Sequence, residues 1–215
     1  VERLSATLHK LLTAAAACGL RRLLCIGLLL AAVPAGAQRD ARVLHRNLSE
    51  LVGDAHVILL GRVTSVKAET HPQFQNIQTV VVTMDVAEVW KGQAGKTYTF
   101  RLFVNHPLDQ KEKLGYGDGQ DVLLMLTKPS DIGLSSPAGL EQGRFRVTTD
   151  AAGNKQVANG LGNAGLLARM DRTAPKLSSQ VSGASARQVL AAQRPGPIAL
   201  DDFRQLVQAL VANPN

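Results

Sequence analysis

Few residues in this chain have both the type and the spacing to do chemistry. Histidines stand at His9, His45, His56, His71 and His106. No two of the last four are four apart, the spacing that sets a pair of imidazoles on one helix face for zinc. Both cysteines, Cys18 and Cys25, precede residue 37, so the rest of the chain offers no thiolate ligand, thiol nucleophile or disulfide. Asp85 and Glu88 are one odd and one even position along a predicted strand, which points them to opposite faces and prevents an acid–base pair. Residues 160–165 spell G-x-G-x-x-G, but a dinucleotide site needs a preceding strand, a following helix and a later acid. Here the surroundings predict a glycine-rich turn. No G-x-S-x-G elbow occurs. The sequence predicts no catalytic constellation, no metal and no cofactor.

Binding chemistry is expected instead on two polar loops, because long loops carried by a rigid scaffold commonly hold recognition residues. The first, residues 68–76, carries His71, Gln73 and Phe74. The second, residues 105–120, carries His106, Lys111, Lys113, Tyr116 and Asp118. On this reading, deleting residues 111–118 spares the fold and abolishes capture of a partner.

The elements that must position these loops are mainly strands. Residues 77–104 read as a hairpin: Val80, Val82, Met84 and Val86 alternate with Thr79, Thr83 and Asp85, and after a turn at 91–96 come Tyr98, Phe100, Leu102 and Val104 on one side. Residues 56–67 form an earlier strand, with Gly61 placed for a bulge or a close backbone approach. The unbroken apolar run 122–126 predicts a strand covered on both faces. Phe145 and Val147 point inward on residues 144–149, a turn follows at 150–154, and a short return strand occupies 155–158. A helix is predicted from Val43, ending at Gly53, and a closing amphipathic helix carries Leu200, Phe203, Leu206, Val207, Leu210 and Val211, with Asp201 and Asp202 in its first turn. Residues 171–197, rich in Ser, Ala, Gln, Gly and Pro, read as a linker with a short helix near 186–192.

The N-terminus reads as an export signal: basic residues through Arg21 and Arg22, an apolar run at 23–33, and Ala35-Gly36-Ala37 as the cleavage site. This places the protein in a secreted or periplasmic setting, with a membrane contact only if the leader is retained. The net charge is +7, but no run of like charges forms a stripe, and only 4% of residues are aromatic. That excludes nucleic-acid binding by phosphate clamps or base stacking. The expected organisation is a signal peptide at 1–37, a β domain at 38–168, a linker at 169–197 and a terminal helix at 198–215.

Residues 54–63, 86–92 and 119–126 resemble the first, second and fourth strands of the netrin-like domain of tissue inhibitors of metalloproteases. They resemble more closely a group of secreted bacterial proteins of unknown function, in which a stretch matching 139–147 also recurs. The resemblance implies a mainly β fold, a five-stranded OB-type barrel with flanking helices. It also implies an extracytoplasmic binding role without catalysis, with another extracytoplasmic protein such as a secreted protease as partner. The inhibitors of that family chelate zinc through a mature N-terminal cysteine held by disulfides, and this chain has no cysteine after residue 25. Two alternatives stay open: inhibition of a secreted metalloprotease, and hydrolysis at a site assembled only by the fold from His56, His71 or His106 and a carboxylate.

Overall fold

The structure is a computed structural model, and it describes residues 44–104, 115–170 and 174–213. The predicted leader therefore lies outside the described residues. Among the described residues no helix is long and apolar enough to cross a membrane.

Seven strands form one antiparallel sheet: β1 (Val57–Thr70), β2 (Gln78–Lys91), β3 (Thr97–Phe103), β4 (Asp121–Leu126), β5 (Arg144–Thr149), β6 (Lys155–Asn159) and the two-residue β7 (Ile198–Ala199). Their order across the sheet is β3-β2-β1-β4-β5-β6-β7. The expected mainly β class holds, whereas the five-stranded closed barrel does not. β5 pairs with the free edge of β4, and β6 and β7 continue outward, so the sheet grows away from β3. Residues 134–137 reach both sides through single bridges, Arg101 with Leu134 and Leu126 with Pro137, but no ladder closes the sheet.

Among the described residues four α-helices flank the sheet: α1 (Leu48–Asp54), α2 (Ala174–Gln180), α3 (Ala184–Ala192) and α4 (Leu200–Ala212). α1 begins later than its apolar pattern suggests because Asn47 caps it. The Asn47 side chain accepts from the Glu50 amide at 3.0 Å, and the Glu50 carboxylate accepts from the Asn47 amide at 2.8 Å. This reciprocal box satisfies two otherwise orphaned donors. The far end of the helix is met by Lys91, whose Nζ donates to the Val52 carbonyl at 2.6 Å.

The segment read as a linker is instead part of the folded body. α2 and α3 occupy most of it, and Leu177, Val181, Ala186 and Leu190 are buried in the same cluster as Phe203 and Leu206 of α4. Four-residue spacing within the pairs 177/181 and 186/190 makes a narrow apolar stripe, which a Ser- and Gln-rich composition conceals.

Two apolar cores lie on opposite faces of the central strands. Val57, Leu59, Val80, Val82, Met84, Phe100, Leu102, Val122 and Leu124 fill one, inside the curl of β1 to β4. Ile58, Leu60, Leu123, Met125 and Phe145 face the helices in the other. Double coverage explains why 122–126 is apolar at every position.

Bulges settle which residue meets which core. Leu60 pairs with Glu88 but Gly61 with Val86, so Ala87 is an extra residue on β2. A one-residue insertion reverses the alternation beyond it. Val80, Val82 and Met84 thus enter the first core, whereas Trp90, of the same parity, enters the helix-side core. A matching slip at Thr64 on β1 moves the inward set from Val57, Leu59 and Val63 to Val66 and Ala68.

Candidate functional site

The predicted loop residues take structural places. β1 runs on to Thr70, so the first loop is short. His71 within it is buried, with only 3% of its surface exposed. Its Nδ1 accepts from the Gln73 amide at 3.2 Å, which leaves the proton on Nε2, and Nε2–H donates to the Ile132 carbonyl at 2.8 Å. Both ring nitrogens are thereby spent on holding two loops together. Phe74 packs on the His71 ring at a centroid distance of 5.2 Å and is partly exposed, and Gln73 is exposed.

On the second loop, His106, Lys111 and Lys113 lie outside the described residues. Asp118 is exposed in a turn. Tyr116 is buried in the first core, edge-on to Phe100 at 6.0 Å, with the Arg144 guanidinium 4.9 Å from its ring centroid. Arg144 also donates to the Gly115 carbonyl and to Glu141, so it fastens this end of the loop. Deleting 111–118 would remove a core side chain, and the expectation that the fold survives that deletion is withdrawn. Burial pushes the Tyr116 phenol well above its ordinary pKa, and its hydroxyl has no hydrogen-bond partner among the described residues. A buried unpaired hydroxyl is a net cost, so Tyr116→Phe is expected to raise stability by about 1 kcal/mol. Urea unfolding of the two proteins checks this, and a loss of stability would mean that the hydroxyl has a partner.

Two features among the described residues have the dimensions of a ligand site: a shallow one of about 860 Å³ beside His45 and Arg169, and a more charged one at the sheet. The second, an open cleft of about 920 Å³, is bounded by β1 and β2 on one side, the β5–β6 turn on the other and the first turn of α4 at one end. That volume is within the range typical of small-molecule and cofactor sites. Leu60, Val86, Val147 and Leu200 contribute apolar wall; Arg62, Asp85, Glu88, Asp121, Asp150, Lys155, Asp201 and Arg204 contribute charge. Asp85 and Glu88, assigned to opposite faces by strict alternation, both line it because the extra residue at Ala87 lies between them.

Most of these charges are committed. Arg62 Nε and Nη2 donate to the two oxygens of Asp121 at 2.7 and 3.1 Å. Arg204 makes the same forked contact with Glu88, Nε to Oε2 at 3.0 Å and Nη2 to Oε1 at 2.8 Å, and it also reaches Asp201. Trp90 Nε1 donates to Glu88 at 2.8 Å, and the Arg204 guanidinium stands 5.6 Å from the Trp90 ring centroid. These contacts tie α4 to β2. Asp150 caps its own turn, accepting from the amides of Ala152 and Asn154 at 2.9 and 2.8 Å.

The pKa shifts follow from those partners. Burial pushes the Glu88 carboxyl up, but hydrogen bonds from Arg204 and Trp90 outweigh it and hold the group below its usual value. The Arg62 hydrogen bond holds Asp121 low, and the Asn154 amide does the same for Asp150. A carboxyl whose folded pKa is depressed stabilises the fold above its unfolded pKa and loses that contribution as pH falls through the folded value. The thermal midpoint is therefore expected to stay level from pH 7 to about 5 and to fall below about pH 4. Glu88→Gln should flatten part of that fall. Calorimetry at three pH values checks both, and an acid profile unchanged in Glu88→Gln would remove Glu88 from the account.

The G-x-G-x-x-G segment is a succession of turns, as expected, and it is organised by asparagines that no motif reading flagged. Asn163 Oδ1 accepts from the Asn159 amide at 3.0 Å and Asn159 Oδ1 from the Asn163 amide at 2.9 Å. The meeting of the cleft residues was equally hidden, because Arg62, Glu88, Asp121 and Arg204 are spread over 143 positions of sequence. The local signals were Asp201 in the first turn of a helix, which helix-dipole compensation already explained, and Asp85 with Glu88, which strict alternation set on opposite faces. Compared with known protein families, curated proteins and solved structures, the chain matches none.

Proposed function

We propose that this chain is an extracytoplasmic, non-catalytic binding module, exported by the stretch ending at Ala37, whose ligand occupies the cleft between β2, the β5–β6 turn and α4. The observation that carries the reading is the state of the cleft's ionisable groups. Glu88 and Asp121 are each gripped by an arginine fork, and Asp150 by backbone amides. Carboxyls held ionised in this way are poor general acids, which need a pKa near the working pH. They are well suited to forming a rigid wall around a ligand, since partners lock their rotamers in advance. Of the two histidines expected on the binding loops, His71 is already spent on Gln73 and Ile132.

The test is affinity capture from the native cell envelope, comparing the wild type with Asp85→Lys/Lys155→Glu in the cleft and with Phe74→Ala on the loop. The double variant is expected to lose the captured partner and Phe74→Ala to retain it. The reverse pattern would return the site to the loops, and capture of nothing by the wild type would defeat the binding-module reading.

A further inference from the structure

The cleft has a charge bias opposite to that of the chain that builds it. Its wall carries five acids, Asp85, Glu88, Asp121, Asp150 and Asp201, against Arg62, Lys155 and Arg204, while the whole chain is net +7. The arginines do not express their charge outward. Arg62 is forked onto Asp121, and Arg204 is shared between Glu88 and Asp201. Asp150 accepts only from neutral groups: its turn amides, Asn154 Nδ2 and Gln156 Nε2 at 3.0 Å. The Asp85 side chain has no hydrogen bond or ion pair among the described residues, although Arg62 stands across the ladder from it, and it points away from the core that takes Met84. Lys155, close to Asp121, offsets one of these charges, so the balance stays negative, and it stands beside apolar wall supplied by Leu60 and Val147. A carboxylate next to an aliphatic surface suits a side chain with a hydrocarbon stem and a cationic head.

We propose that the cleft receives a lysine or arginine side chain from an extended polypeptide segment, its stem on the apolar wall and its cationic head at Asp85. The inference rests on the cleft being the binding site and adds the class of ligand. Charge complementarity selects this occupant over an acidic one, because like charges across an interface are strongly disfavoured.

The full chain is titrated with acetyl-Ala-Ala-Lys-Ala-Ala-amide and with its norleucine and glutamate counterparts, following the backbone amides of Ala87, Gly153 and Asn154 by NMR. The lysine peptide is expected to shift these amides to saturation, more weakly as salt rises from about 20 to about 200 mM, because the contact is only partly shielded from ions. Asp85→Asn, which breaks no contact and so leaves the fold intact, should weaken binding roughly threefold to fivefold, the scale of one exposed ion pair. Equal binding of the norleucine peptide, or no effect of Asp85→Asn, overturns the assignment of the cationic head. A glutamate peptide that moves the same amides overturns the ligand class while leaving the cleft as a binding site. If no peptide moves them the proposal fails, and the binding-module reading then stands or falls on envelope capture alone.

Discussion

Asn163→Ala is expected to lower the unfolding free energy by about 3–5 kcal/mol, a large share of the 5–15 kcal/mol typical of a domain. Asn163 is buried, and its side chain makes three hydrogen bonds: Oδ1 accepts from the Asn159 amide, and Nδ2 donates to the Val157 and Gly196 carbonyls, both at 2.9 Å. Through them it fastens the end of β6 to the approach to β7. Alanine leaves one donor and two acceptors without partners, each costing about 1–3 kcal/mol when water cannot replace the lost bond. A second cost comes from the backbone, because Asn163 has φ of 59°, a conformation that asparagine tolerates better than alanine does. Asn163→Gly separates the two: it relieves the backbone and still loses the hydrogen bonds, so it should recover only about 1 kcal/mol of the alanine loss. Chemical unfolding of the three proteins checks this. An alanine variant within 1 kcal/mol of the wild type would show that the turns after β6 are held by something other than this asparagine.

Gly61→Ala is the second large effect, with a loss of about 3 kcal/mol expected, at the upper end for overpacking. A Cβ at this position would overlap the Asp85 carbonyl oxygen and lie 2.7 Å from Met84 Cε. The nearer obstacle is backbone, which a rotamer change cannot move aside. Gly61 sits beside the bulge at Ala87. The strain would act on the register of the pair that forms one wall of the cleft, so this variant should also weaken any ligand held there. Gly53→Ala is the control: a Cβ there meets nothing within 4 Å, and stability should change little. Thermal unfolding compares them, and equal midpoints would mean that β1 and β2 can separate at Gly61 without cost.

Periodicity in the sequence carried the strands. Val80, Val82 and Met84 share a core with Phe100 and Leu102, and residues 122–126 are covered on both faces, as alternation and continuous apolarity require. The amphipathic helix from Leu200 docks by the residues its spacing named. Local pattern succeeds here because side-chain direction in a regular element follows from position alone. It fails where one residue is inserted. Nothing in the letters around Ala87 marks a bulge, and that bulge turns Trp90 toward the helices and brings Glu88 to the same cleft as Asp85. Composition likewise hid α2 and the docking of α3, which showed only as a short helix near 186–192 within a linker, because their apolar stripe is too narrow to outweigh Ser and Gln until α4 is there to bury it.

The sequence by itself determined the β class, the burial of the central strands and the absence of thiol chemistry after residue 25, all properties of residue type and local period. Tertiary structure alone decided that β5 extends the sheet instead of closing it, that His71 and Tyr116 serve packing, and that four charged residues far apart in the chain meet as two arginine forks. The physical reason is that these outcomes depend on strand pairing between distant segments. Such pairing is chosen by the summed burial of both partners and is encoded in neither one separately.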